Sequence, residues 1–166
     1  MNFLIISKEF KNNILKIDNL FFFIFATIIF FLDRLSKLKI INNFDEVPYY
    51  VNDYINFDLI WNIGIGFGLL STDSALFYNF VTALIGTIII FLIYLLIISN
   101  KIDKFIYSII IGGALGNFYD RVIYKAVPDF IDLHYADFHW FTFNIADIFI
   151  SLGILIYLLK DLVFKK

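Results

Sequence analysis

Residues Ser74–Asn100 read SALFYNFVTALIGTIIIFLIYLLIISN and contain no charged side chain. A helix needs about 20 consecutive apolar residues to cross the hydrocarbon core of a bilayer, so this stretch predicts a transmembrane helix. The rest of the chain agrees, because 61% of its 166 residues are hydrophobic, 20% are aromatic and the mean hydropathy is +0.83. Soluble domains are about 45–50% apolar. The composition therefore predicts a membrane protein.

Three further spans are predicted around this stretch. The segment from Phe105 to Tyr119 is uncharged, and the first apolar run begins at Leu20 and carries charges only in its final turns. The last run is long enough to span the bilayer only if Asp147 lies inside it. We predict a single integral membrane domain, 1–166, built as an all-α bundle of four transmembrane helices at about 18–38, 74–99, 105–123 and 140–160.

The segment at about 40–72 is expected to be the only sizeable non-helical part of the chain. An alternation with a period of two, typical of a β-strand, runs through residues 55–62. Ile55, Phe57, Leu59 and Trp61 alternate there with Asn56, Asp58, Ile60 and Asn62. We therefore predict a small extracytoplasmic β-sheet that lies on the membrane surface, ahead of the second helix.

The Lys and Arg residues of the short loops predict the orientation of the chain. If the N-terminus is cytoplasmic, eight of these residues lie inside and five outside. The inside set is Lys8, Lys11, Lys16, Lys101, Lys104, Lys160, Lys165 and Lys166, and the outside set is Arg34, Lys37, Lys39, Arg121 and Lys125. Both termini are therefore expected in the cytoplasm. No small-residue cleavage site follows the first apolar run, so we expect that helix to be retained.

Asp129 and Asp147 are the strongest candidates for catalysis. An ionisable group at membrane depth is costly and is by default a candidate functional residue. Two carboxylates within hydrogen-bond reach share one proton, so that one activates water while the other donates to a developing oxyanion. Asp147 is expected about seven residues into its helix, roughly 10 Å below the outer surface. The alternative is that both are structural carboxylates, each of which caps a helix end or pairs with Arg121, Lys125 or Lys37.

Other polar residues at the same side of the predicted bundle are candidates for substrate binding or for support of the site. Asn117 and Arg121 share a helix face in the stretch Gly112–Arg121, whose glycines also suit close helix packing. Asp33 and Lys37 have the spacing of an ordinary helical salt bridge. The glycine-rich stretch Trp61–Gly68 is either a turn or a surface that an extended peptide approaches closely.

Several kinds of chemistry are not expected. The chain has no cysteine, which excludes disulfides and thiolate chemistry, and its basic residues form no patch suited to nucleic acid. His134 and His139, with Asp137 between them, form only a weak metal motif, because two ligands in a loop are little evidence. We predict no metal and no cofactor.

Five motifs in order resemble those of lipoprotein signal peptidase (signal peptidase II), a family of bacterial membrane aspartyl endopeptidases. They run from Asp33 to about Gly153 and so cover most of the chain. They are Asp33…Lys37, Asn62-x-Gly64-x-x-Phe67-Gly68, Gly112-Gly113-x-x-Gly116-Asn117-x-x-Asp120-Arg121, Val127-x-Asp129-Phe130 and Phe143-Asn144-x-Ala146-Asp147.

The resemblance implies cleavage of a diacylglyceryl-modified prolipoprotein N-terminal to its lipidated cysteine. It implies four spans in the bacterial inner membrane, with a site near the periplasmic side and in contact with membrane lipid. It also implies that no metal is needed and that cyclic peptides such as globomycin inhibit the enzyme. Asp129 and Asp147 match the catalytic pair. The positions that match the rest of the site are Asp33, Lys37, Asn62, Gly64, Asn117, Asp120, Arg121 and Asn144. We expect a monomer.

Two other functions remain possible on the residues alone. A small transporter or proton-relay protein also uses intramembrane carboxylates. An inactive relative would bind a lipidated peptide without cutting it. Ion flux in liposomes would identify the first, and binding without a cleavage product would identify the second.

Overall fold

Four helices and four strands make up the part of the chain that the computed structural model describes, residues 16–43, 48–64 and 75–164, with side chains up to 160. In chain order they are α1 (Ile17–Asn43), β1 (Tyr49–Asn52), β2 (Ile55–Asn62), α2 (Ala75–Ile98), α3 (Lys101–Tyr124), β3 (Val127–Tyr135), β4 (Phe138–Phe143) and α4 (Ile145–Phe164).

Two of these helices, α1 and α2, are long and apolar enough to cross a membrane. Helix α2 has 24 residues, which is about 36 Å at 1.5 Å per residue and exceeds the roughly 30 Å of a hydrocarbon core. Helices α3 and α4 carry charged residues close to both ends, which shortens their apolar stretches. The count of four spans therefore stays a prediction.

Helix α3 is the centre of the bundle and packs against each of the other three helices. Its glycines allow this close approach. A Cβ atom at Gly112 would lie 2.7 Å from the backbone oxygen of Ala26 in α1, and one at Gly113 would lie 2.6 Å from the backbone oxygen of Ala146 in α4. Small residues are what helix interfaces in membranes require, because they let backbones touch.

Apolar side chains cover the outside of the bundle, and charged side chains fill part of its inside. Ile90 is 71% exposed and Phe80 is 65% exposed, whereas Asp33, Lys37 and Asp120 are completely buried. A soluble protein shows the opposite arrangement. This distribution suits a molecule whose helices face lipid.

The four strands form one antiparallel sheet in the order β1-β2-β3-β4. The first hairpin turns at residues 53–54, where Asn52 Oδ1 accepts hydrogen bonds from the backbone amides of Tyr54 and Ile55. Strand β3 pairs with β4 only from Ile131 onward. Pro128 therefore lies in the part of β3 that has β2 as its only partner strand, where a missing N–H costs little.

The structure corrects two predicted boundaries. The last helix begins at Ile145 rather than near 140, because residues 138–143 form β4. The segment 40–72 is not the only sizeable non-helical stretch, since α1 continues to Asn43 and half of the sheet comes from residues 127–143. The run Phe138–Phe143 is rich in aromatic residues, which favour strands as readily as buried helices, so hydropathy alone could not separate the two.

Some predicted features lie outside the described residues. These are the glycine-rich motif beyond Gly64, including Phe67 and Gly68, and the charged residues Lys8, Lys11, Lys165 and Lys166.

Candidate active site

Asp129 lies on β3 and is 3% exposed. Its two carboxylate oxygens accept hydrogen bonds from side-chain amides: Oδ2 from Asn62 Nδ2 at 2.9 Å and Oδ1 from Asn144 Nδ2 at 2.6 Å. Asn62 comes from β2, and Asn144 lies in the connection between β4 and α4. Two parts of the chain besides β3 therefore hold this carboxylate in place.

Asp147 lies in the first turn of α4, as the third residue of the helix. The prediction that it lies about seven residues into its helix is wrong, because the helix starts later than expected. Its Oδ2 accepts a hydrogen bond from the backbone N–H of Asn144 at 3.1 Å, and Asn144 Oδ1 accepts one from the backbone N–H of Asp147 at 3.1 Å. This reciprocal pair is a capping box. The other oxygen, Oδ1, accepts a hydrogen bond from Asn117 Nδ2 at 2.8 Å.

Asn144 thus connects the two aspartates, through its side-chain amide to Asp129 and its backbone amide to Asp147. Burial, and then the nearby charge of Asp147, raise the pKa of the Asp129 carboxyl to about 6, although the hydrogen bonds from Asn62 and Asn144 lower it. Carboxylates that share a site keep a proton to higher pH because two like charges repel. The charge of Asp147 therefore makes it harder for Asp129 to lose its proton.

A buried ion network of Asp33, Arg34, Lys37 and Asp120 lies next to the dyad. Lys37 Nζ is 2.7 Å from Asp33 Oδ2 and 2.7 Å from Asp120 Oδ2, and Asp120 also pairs with Arg34. Lys37 donates a further hydrogen bond to Asn117 Oδ1 at 2.8 Å. The network therefore reaches Asp147 through a single amide.

The same network anchors the start of α4. Asp33 Oδ1 accepts a hydrogen bond from the backbone N–H of Ala146 at 2.9 Å. The first N–H groups of a helix have no partner within the helix, so α1 supplies one. This bond ties the position of Asp147 to that of Lys37.

Arg121 and Gly64 hold the end of β2 against the bundle. Arg121 Nη2 donates to the backbone oxygen of Gly64 at 2.6 Å. The backbone N–H of Gly64 donates to Asn62 Oδ1 at 2.8 Å, which orients the amide that binds Asp129. Arg121 is therefore connected to Asp129 through Gly64 and Asn62.

The structure brings all ten predicted site residues into one connected set. Of the structural alternatives, Asp147 does cap a helix end, but neither Asp129 nor Asp147 has a described hydrogen bond from a cation. Arg121 donates to a backbone oxygen, and Asp129 and Asp147 accept hydrogen bonds from amides. Arg34 was missed as a member of the network. Its guanidinium also lies 4.6 Å from the centre of the Tyr119 ring.

The chain is similar to known proteins of one family. The family model described as Signal peptidase (SPase) II matches residues 25–163. The lipoprotein signal peptidase of Pelagibacter ubique (strain HTCC1062) is 46% identical over 142 residues, covering 84% of this chain and 86% of that protein. That of Francisella tularensis subsp. novicida (strain U112) is 36% identical over 151 residues, covering 87% and 93%.

A solved structure has the same fold. It is described as a bacterial membrane enzyme structure by the in meso method at 2.3 Å resolution, and it matches with a TM-score of 0.68 and 32% identity over 86% of this chain and 90% of that chain. Family model, relatives and fold agree: this chain belongs to the signal peptidase II family of membrane proteases.

Proposed function

We propose that this protein is an aspartyl endopeptidase that removes the signal peptide from diacylglyceryl-modified prolipoproteins by cleavage N-terminal to the lipidated cysteine. Asp129 and Asp147 activate the attacking water. The observation that carries the proposal is a pair of carboxylates joined by Asn144, one buried (Asp129) and one half-buried (Asp147), with the pKa of Asp129 raised to about 6.

In the proposed reaction one carboxylate is ionised and its partner is protonated. The ionised carboxylate takes a proton as the water oxygen attacks the scissile carbonyl carbon, while its protonated partner donates to the carbonyl oxygen. The tetrahedral intermediate then collapses, the C–N bond breaks, and the leaving amine takes a proton from the dyad. The products are a signal peptide with a new carboxylate and a lipoprotein whose N-terminus is the lipidated cysteine.

The neighbouring charges support this assignment. The ion network contains two cations, Arg34 and Lys37, and two carboxylates, Asp33 and Asp120, so it is balanced within itself. The described hydrogen bonds to Asp129 and Asp147 all come from amides. Among the described residues no cation donates a hydrogen bond to Asp129 or Asp147, and two neighbouring carboxylates without such a partner favour retention of one proton.

We place the protein in the bacterial inner membrane as a four-span monomer with both termini in the cytoplasm and the dyad near the periplasmic side. The dyad lies where the sheet meets α3 and α4, so a peptide would extend between sheet and bundle. The substrate's acyl chains would lie in the bilayer beside the helices, whose outer surface is apolar.

The test is a gel-shift assay on a synthetic diacylglyceryl-Cys prolipoprotein peptide in detergent. The wild-type protein is compared with Asp129→Asn, Asp147→Asn and the matched control Asp137→Asn, which removes an exposed carboxylate from the β3–β4 turn. We expect cleavage by the wild type and the control, and none by the dyad variants.

Two results would contradict the proposal. Binding without cleavage by the wild-type protein would favour a lipoprotein-binding relative. Neither binding nor cleavage, together with proton flux in liposomes, would favour a relay protein.

A further inference from the structure

A second cluster of titratable side chains lies on the sheet, away from the dyad. Asp132 and His134 are two residues apart on β3 and so lie on one face of the strand, and His139 on β4 is the register partner of His134. The ligand atoms of these three residues all lie within 4.8 Å of one another. The cluster shares no hydrogen bond with Asp129 or Asp147 among the described residues.

Both imidazoles turn the same nitrogen toward one carboxylate oxygen. His139 Nδ1 is 2.7 Å from Asp132 Oδ2, and His134 Nδ1 is 3.5 Å from that oxygen. The two rings are stacked with their centres 5.3 Å apart. Three donor atoms from two adjacent strands therefore converge on one point.

One ring nitrogen in the buried part of the cluster has no hydrogen-bond partner. His134 is 6% exposed, and its Nδ1 has no hydrogen-bond partner. The side-chain oxygen of Asn56, the register partner of Asp132 on β2, is likewise buried without a partner. Buried polar atoms are nearly always satisfied in folded proteins. Two such atoms beside one carboxylate indicate that something binds there.

We propose that Asp132, His134 and His139 bind a divalent transition-metal ion, with Zn²⁺ as the best-fitting representative. Two imidazoles and one carboxylate are a common ligand set for zinc, whose remaining position takes water. Tetrahedral bonds of about 2.0–2.1 Å place ligand atoms about 3.3 Å apart. The distances of 2.7 and 3.5 Å from the carboxylate lie on either side of that value.

The site is partly built before a metal arrives. The backbone N–H of His134 donates to the backbone oxygen of Tyr54 at 2.9 Å, which fixes that residue between neighbouring parts of the sheet. His139 is mostly exposed and gives the ion a path from solvent. A bound metal would tie β3 to β4 and so stiffen the strand that carries Asp129, three residues from Asp132.

From the sequence we predicted no metal, because the two histidines and Asp137 were expected to lie in a loop. The structure places them on paired strands, and it is Asp132 that lies beside them. The described cluster does not include Asp137, which is exposed in the turn.

The test uses the full-length protein in detergent, purified without a polyhistidine tag, stripped with a chelator and titrated with ZnCl₂. The wild-type protein is compared with His139→Ala, which truncates an exposed side chain and should leave the fold intact, with Asp132→Asn, and with Asp137→Asn as the matched charge control. Calorimetry measures the affinity and stoichiometry, and thermal unfolding measures the change in Tm.

We expect one Zn²⁺ per chain and a rise in Tm of roughly 5 °C or more at 100-fold excess over Kd. The control should behave as the wild type. His139→Ala and Asp132→Asn should each lower the affinity for Zn²⁺ by at least about 10- to 100-fold. Loss of a residue that only supports a ligand already costs a metal site that much.

Either of two results overturns the proposal. One is the absence of both binding heat and a Tm shift in the wild-type protein at about 1 mM Zn²⁺. The other is equal affinity in His139→Ala and the wild type, which would place the ion elsewhere. Neither readout uses a lipopeptide, so this proposal and the proposed peptidase activity fail independently.

Discussion

Asp33 and Asp120 lie beside cations, whereas Asp129 and Asp147 lie beside amides. All four carboxylates belong to one connected region, but their partners differ. The cations balance the first pair within a buried network. The amides orient the second pair, and none of its described hydrogen bonds comes from a cation. The difference favours a structural role for the pair that is neutralised by opposite charge, and it supports the proposed acid–base role for the pair that is held by neutral donors.

The largest effect should come from removal of a dyad carboxylate. Asp129→Asn is expected to lower kcat/KM by about 10²–10⁴-fold, the usual contribution of a general acid or base. The Tm should fall only slightly. The new amide oxygen still accepts from one neighbouring asparagine, although its NH2 group then faces the NH2 donor of the other, and no buried cation loses its partner. Activity on the lipidated peptide and thermal unfolding are measured on the same preparation. A large loss of Tm would show that Asp129 is structural.

Removal of the central cation should have the next largest effect, and on stability rather than chemistry. Lys37→Met leaves two completely buried carboxylates with one cation fewer, and breaking a buried pair in this way costs about 3–5 kcal/mol. Thermal unfolding in detergent measures it. The double variant Lys37→Met with Asp33→Asn should recover part of the loss, because it removes one stranded charge. No recovery would contradict the charge-balance argument.

A substitution that crowds a carboxylate of the ion network should destabilise the protein less than the loss of Lys37. A Cβ at Gly116 would lie 3.0 Å from the carboxylate carbon of Asp33, which is held by Lys37 and by the Ala146 amide. Gly116→Ala is therefore expected to lower the unfolding free energy by about 1–3 kcal/mol. Gly86→Ala is the matched control, because its Cβ would meet only the edge of the Phe118 ring at 3.1 Å. Equal losses in both variants would show that the Asp33 contact is unimportant.

The smallest effect concerns the pH profile of the dyad. The singly protonated pair should be the active form, so kcat/KM falls as pH rises through the pKa of about 6 that belongs to Asp129. The hydrogen bond from Asn62 lowers that pKa because it stabilises the charged form. Asn62→Ala should therefore move the alkaline limb upward, by up to about one pH unit.

Asn42→Ala, at an exposed position of α1, is the control for this shift and should leave the profile unchanged. An alkaline limb that stays in place in Asn62→Ala, or moves downward, would contradict the role given to Asn62.

Much of the candidate site could be predicted because its residues lie in short motifs with fixed spacing. The capping-box pair Asn144 and Asp147 is three residues apart, and Asp33 and Lys37 are one helical turn apart. Contacts of this range depend on local geometry alone. Arg34 and Arg121 could not be assigned in this way. Each had several acidic or backbone partners in reach, and the choice depends on how α1, α3 and β2 pack.

The sequence by itself determined that this is a membrane protein with a paired-aspartate motif, because hydropathy and motif spacing are properties of neighbouring residues. Only the tertiary structure decided that residues 127–143 form strands and that Asn144 joins the two aspartates. It also decided that Asp132, rather than Asp137, lies beside the histidines. An aromatic-rich run is compatible with either helix or strand. The choice between them, and every contact across strands, depends on register and packing between segments far apart in the chain.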